Sequence, residues 1–181
     1  ITLAPAGRTS SAITISGVTG MTISGNGFTI GFSTSSIENG RCIYIAGSAE
    51  VDFYDLTVSN GYYYCSGNTC YVYGGGIYIA SGAVVTFRSV VISNNYIKVW
   101  NYNWYSTATS NGGGIYVDGA DVTFYDTTFS SNVASCRYSG SNGGALFVAG
   151  NAIVKLYAAE FASTNSVGGY GLKGYDIYLT G

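Results

Sequence analysis

The sequence has no histidine, only one proline, and few charges: seven basic and nine acidic residues in 181, or 9 %. Without histidine there is no His-containing zinc or haem site, and no imidazole to act as a base near neutral pH. The Lys and Arg residues are spread along the chain. A nucleic-acid surface needs them clustered to neutralise phosphates, so that function is excluded. The uncharged run from Leu56 to Phe87 is rich in Ser, Asn, Gly and Tyr, which hydrocarbon would not accommodate, so no membrane span is expected. No Asn-x-Ser/Thr triplet occurs, and N-glycosylation is not expected.

What is present is apolar and aromatic. Hydrophobic types reach 47 %, with 27 Gly and 18 Tyr. Gly is costly inside helices, whereas Val, Ile, Thr and Tyr favour pleated strands, so the composition predicts an all-β fold with enough apolar surface for one core. The four cysteines, Cys42, Cys65, Cys70 and Cys136, contain no C-x2-C pair. That disfavours a structural metal site and favours disulfides, hence an extracellular setting. No metal or cofactor is expected. Cys65 and Cys70 are close enough for a local bridge. Cys42 and Cys136 would then pair or stay free, and bridges from Cys42 and Cys136 to the other two are the alternative.

A repeat organises the chain. Ile43-Tyr44-Ile45, Ile77-Tyr78-Ile79, Ile115-Tyr116-Val117, Leu146-Phe147-Val148 and Ile177-Tyr178-Leu179 recur at intervals of 34, 38, 31 and 31 residues. Gly74-Gly75-Gly76, Gly112-Gly113-Gly114 and Gly143-Gly144 precede three of them. Nine or ten residues later come Phe53, Phe87, Phe124 and Leu156, and five further on Val58, Ile92, Phe129 and Phe161. Asn follows at Asn60, at Asn94 or Asn95, at Asn132 and at Asn165. Constant internal spacing with variable length after the Asn means a fixed scaffold with variable loops. Three alternating segments per repeat, each with one apolar face, predict stacked coils that bury their faces jointly. The expectation is a right-handed parallel β-helix, a three-sided solenoid of about five coils. Residues 1–181 form one domain, either part of a longer solenoid or a stacking unit. The alternative, an antiparallel sandwich, does not repeat at such offsets.

The Gly-Gly-x-Ile-Tyr starts and the later Phe129-Ser130-Ser131-Asn132 resemble the repeats of polymorphic outer-membrane proteins and related autotransporter passengers. The stretch from Ile23 to Ile30 resembles the early coils of pectin-lyase-like β-helices. The resemblance implies the fold. It leaves function open, because that superfamily hosts lyases, hydrolases, adhesins and inert spacers.

Alternation places Tyr44, Tyr78, Tyr116, Phe147 and Tyr178 on the outside, as an aromatic ladder. Two loops concentrate aromatics: Tyr62, Tyr63, Tyr64, Tyr71 and Tyr73 in one, Trp100, Tyr102, Trp104 and Tyr105 in the next. A third adds Arg137 and Tyr138. Such residues suit recognition or assembly; the plainer reading has the loops folding back as a satellite apolar cluster. No catalytic set emerges. Asp55, Arg88 and Asp126 fall near one edge and read best as a solvated salt-bridge ladder. Asp118 and Asp121 share a turn without a repeated calcium motif, and the outward row Thr22, Thr86, Thr123 is interrupted by Asp52 and Lys155. The expected function is an extracellular structural or assembly protein, with no enzymatic activity. Its aromatic loops would contact protein or surface glycans, and identical copies or flanking coils would stack end to end. A polysaccharide lyase or hydrolase and a non-catalytic carbohydrate-binding adhesin are the alternatives.

Overall fold

In a computed structural model of the protein, the described residues are 2–3, 11–32, 40–169, 172–174 and 176–180. They comprise strands and turns with no helix. Every ladder joining two of these strands is parallel, and each strand pairs with its counterpart one repeat away. The result is a β-solenoid of about five turns with four sheets.

Sheet I carries the Ile-Tyr-Ile segments: Ser11–Ser16, Arg41–Ala46, Ile77–Ile79, Ile115–Asp118, Leu146–Ala149 and Ile177–Leu179, in that order. Sheet II holds the next two sides of each coil. Its longest strands, Glu50–Ser59 and Val84–Ser93, bend at Asp55 and Ser89; Asp126 and Ala158 occupy the same corner in later coils. All four have φ near +50°. This left-handed conformation turns the chain without ending the pairing, and no Gly or Pro marks it in the sequence. These three sides enclose the main core. Phe53, Phe87 and Phe124 stack through it at 5.1 and 5.0 Å with nearly parallel rings, and Phe129 meets Phe124 edge-on.

The predicted inward residues of the three middle coils are buried, from Ile43 through Phe129. In the last coil Leu146 and Val148 are buried as well, whereas Val154 and Phe161 are half-buried and Leu156 is exposed. Ile153–Tyr157 is the edge strand of its sheet among the described residues, so one side of that set is uncovered there.

The aromatic "loops" are largely strands, with Tyr102, Trp104 and Tyr105 left in a turn between two of them. Tyr62–Ser66, Tyr96–Trp100, Val133–Cys136 and Ser166–Gly169 form sheet III, while Tyr71–Tyr73, Thr109–Asn111, Ser141–Asn142 and Leu172–Lys173 form sheet IV. Each coil is therefore two-lobed: a three-sided major lobe, and a flat minor lobe with its own small core of Cys70, Val72, Ile97, Val99, Ala108 and Cys136. The satellite-cluster reading holds, but as two ordered sheets.

A narrow neck joins the lobes. Here the chain leaves through Asn95 or Asn132 and returns through the glycine runs, and the two passes nearly touch. A side chain on Gly61 would collide with the Gly75 carbonyl, and one on Gly113 would lie 2.5 Å from the Val133 carbonyl carbon. The Asn residues fill the outgoing side as a ladder. Asn95 Nδ2 donates to Asn132 Oδ1 (3.0 Å) and the Val58 carbonyl (3.2 Å); Asn132 Nδ2 donates to Asn165 Oδ1 (3.1 Å) and the Ile92 carbonyl (2.8 Å). All three Asn are buried. Their amides satisfy carbonyls that the turn leaves unpaired, and an unmet buried carbonyl would cost about 1–3 kcal/mol.

Candidate functional site

The aromatic ladder forms in register: Tyr44 pairs with Tyr78, Tyr78 with Tyr116, Tyr116 with Phe147 and Phe147 with Tyr178. Successive ring centroids lie 5.1–5.3 Å apart. It points away from the main core but is not an open strip. Tyr73 of sheet IV lies 4.8 Å from the Tyr116 ring, and the Arg41 guanidinium sits 4.9 Å from Tyr78 and 5.1 Å from Tyr63. Tyr116 is only 8 % exposed. The ladder lines the cleft between the lobes, so the expected solvent-facing strip is replaced by an internal aromatic seam.

Burial and the nearby Asp118 carboxylate, which accepts the Tyr78 hydroxyl at 3.2 Å, push the Tyr78 phenol up to about 12 from 10.0. Tyr116 is raised further, again by burial first and Asp118 next. A folded-state value above the unfolded one means that the native state holds the proton more tightly. The stability these phenols contribute is therefore intact below pH about 10 and is lost as pH rises through about 12. Thermal unfolding followed across this range should show a steep fall above pH about 10, and Tyr116→Phe should make it shallower. An unchanged slope in that variant would remove the seam as its cause. Burial lowers the Arg41 guanidinium, with Tyr63 acting against it.

Among the cysteines, Cys65 and Cys70 are joined, at the tip of the first two-sheeted layer. Cys42 and Cys136 are free and buried, one in each core, so the bridges from them to the first pair do not form. Burial raises the Cys42 thiol to about 12. A cavity of about 540 Å³ over the disulfide is lined by Tyr63, Tyr64 and Tyr71, among others.

The remaining candidates divide by face. In sheet III, Tyr63 points into the minor lobe, whereas Tyr62 stacks on Tyr96 at 5.4 Å and shares its face with Tyr64, Lys98 and Trp100. Tyr71 is exposed and donates to the Thr107 hydroxyl at 2.8 Å. Beyond Trp100 the chain turns through Tyr102, Trp104 and Tyr105, which are 63, 60 and 94 % exposed. Asn68 of the coil before accepts the Tyr102 N–H at 2.9 Å, and Asn101 accepts the Tyr138 N–H of the coil after, also at 2.9 Å. Neighbouring tips thus hold one another.

Across these tips runs a stack: Trp100, Arg137 at 4.2 Å, Tyr138 at 4.6 Å from the same guanidinium, and Trp104 at 4.9 Å from Tyr138. Lys98 Nζ lies 5.6 Å from the Trp100 ring. Sequence reasoning found the aromatics but missed Lys98, and read Arg137 only as a loop residue. The signal was available in the pairing register, which sets Arg137 beside Trp100 once Cys136 is matched to Val99.

The Asp55, Arg88 and Asp126 group does not assemble. Asp55 and Asp126 share a corner with Ser89 between them, while Arg88 is one position earlier with its guanidinium 4.2 Å from the Tyr125 ring. The expected salt-bridge ladder is not formed among the described residues, because the corner residue facing the carboxylates is Ser89. Among the described residues no group of three or more His, Cys, Asp or Glu converges as a metal site.

Residues 126–149 match the Chlamydia polymorphic membrane protein repeat. The matched stretch holds the elements that build one two-lobed coil: the corner at Asp126, the core residue Phe129, the ladder residue Asn132, the minor-lobe strands, the returning Gly143-Gly144 and the next sheet I strand. No curated protein and no solved structure matches the chain. The repeat points to a surface-associated protein, and the disulfide fits an oxidising exterior. No helix among the described residues is long and apolar enough to cross a membrane.

Proposed function

We propose that this chain is a non-enzymatic segment of an extracellular surface stalk, whose major lobe is the shaft and whose minor lobe is a lateral recognition edge. The observation that carries the reading is the stack at the lobe tips. Large exposed aromatics are held in fixed positions by hydrogen bonds from the coils on either side, which lowers the ordering cost of binding. The shaft would continue through further coils, of the same protein or of an identical copy. They would cover Ile153 and Leu156 at one edge and Met21 and Phe28 at the other, all now exposed.

The test is a glycan array and a polysaccharide panel in parallel. Binding without product formation, lost in a Trp100→Ala/Trp104→Ala variant, is the expected result. Turnover of any polysaccharide that disappears in Arg88→Ala or Asp126→Ala would replace this reading with an enzymatic one.

A further inference from the structure

Charge is segregated between the lobes. None of the nine carboxylates lies in the segments 61–73, 95–111, 132–142 or 165–174 that make up the minor lobe. Those segments carry Lys98, Arg137 and Lys173, and the first two meet no carboxylate among the described residues. Asp and Glu sit on the major lobe instead, at positions such as Glu50, Asp52, Asp121 and Glu160. An edge with three cations and no anion in its sequence, beside exposed indoles, is complementary to an anionic ligand.

The geometry narrows the ligand. The exposed Arg137 guanidinium lies over the rings of both Trp100 and Tyr138, at 4.2 and 4.6 Å. A guanidinium carries a planar N–H fork, and that fork matches the two oxygens of a carboxylate. Trp100 and Trp104, 38 and 60 % exposed, offer flat apolar surface within the same array. A pyranose ring presents a C–H face that such a surface takes. Three cations are too few for a phosphate backbone, whose affinity grows with each charge neutralised. A carboxylate-bearing peptide would use the fork and leave the indoles idle.

We propose that the tip of the minor lobe binds an acidic polysaccharide with carboxylates on its pyranose rings, the carboxylate on Arg137 with Lys98 beside it and the ring on Trp100. The proposal rests on the recognition reading above and specifies its ligand. Titration calorimetry with polygalacturonate, neutral galactan and polyglutamate tests it, each variant being checked for an unchanged melting temperature. Polygalacturonate should bind best and weaken with salt. Arg137→Ala and Trp100→Ala should each lower affinity about tenfold or more, a loss expected for a charge-assisted bidentate contact. Arg137→Lys should recover only part of it, because lysine has no fork. Arg88→Ala, on the major lobe, should change nothing. Full polygalacturonate affinity in both Arg137→Ala and Lys98→Ala, or equal affinity for polyglutamate, would overturn the proposal. Trp100-dependent binding of neutral galactan without acidic preference would overturn it and leave the recognition reading standing. Binding of no glycan of any kind would remove both.

Discussion

Replacing Gly113 with alanine should cost more than about 4 kcal/mol, a large share of the about 5–15 kcal/mol by which a typical domain is stable. The single added carbon would collide with the Gly144 carbonyl oxygen and lie 2.5 Å from the Val133 carbonyl carbon. Both obstacles are backbone, so no side-chain rotation relieves them. Either the incoming or the outgoing pass of the neck must move, and each is hydrogen-bonded to the coils around it: the Gly113 N–H donates to the Gly143 carbonyl at 3.0 Å. Denaturant unfolding of the variant and the parent measures the loss. A melting temperature within a few degrees of the parent's would mean that the neck can widen, and the close-approach argument would fall.

Phe87→Ala is the second large effect, with an expected loss of about 3–5 kcal/mol. Phe87 is fully buried, with Phe53 stacked on one side and Phe124 on the other. Removing it deletes one layer of a continuous ring column, and the strands above and below are fixed at the sheet spacing, so the gap cannot close. Phe87→Leu keeps most of the volume and should lose much less. Equal losses in the two variants would show that ring stacking rather than filled volume is the main term.

Much of the major lobe was legible in the sequence because its signal is periodic. Ile43, Ile77, Ile115 and Leu146 align by spacing alone, and the structure pairs them in that register. The Asn ladder was visible from Asn132 and Asn165, although spacing left Asn94 and Asn95 tied and wrongly included Asn60, which matches the corner residue Asn94 while Gly61 takes the ladder position. The structure resolves the tie: Asn94 takes the corner with φ +54°, and Asn95 turns inward. The minor lobe was read as loops for a physical reason. Its buried positions include Ala108, Ala134, Ser110 and Ser141, small or polar residues that give no apolar alternation. Only Val72, Ile97 and Val99 are larger aliphatic residues in its core, so most of its strands look like turn-forming sequence. The ladder's burial was illegible in the same way. Alternation states which side of a strand a residue takes, whereas the cover over Tyr116 comes from Tyr73, in a different sheet.

The neck also separates two evolutionary fates within one chain. The stretch from Asn95 to Gly112 is longer than that from Asn132 to Gly143, yet Ile115 still pairs with Ile77 on one side and Leu146 on the other. Insertions or exchanges between the Asn and the glycines are thus invisible to the shaft, because both ends of the excursion are pinned a few ångströms apart. The tip can drift under selection for new contacts, or to escape an old one, without touching the residues that hold the fold. Diversity among relatives should gather in these excursions and thin out abruptly at the glycines.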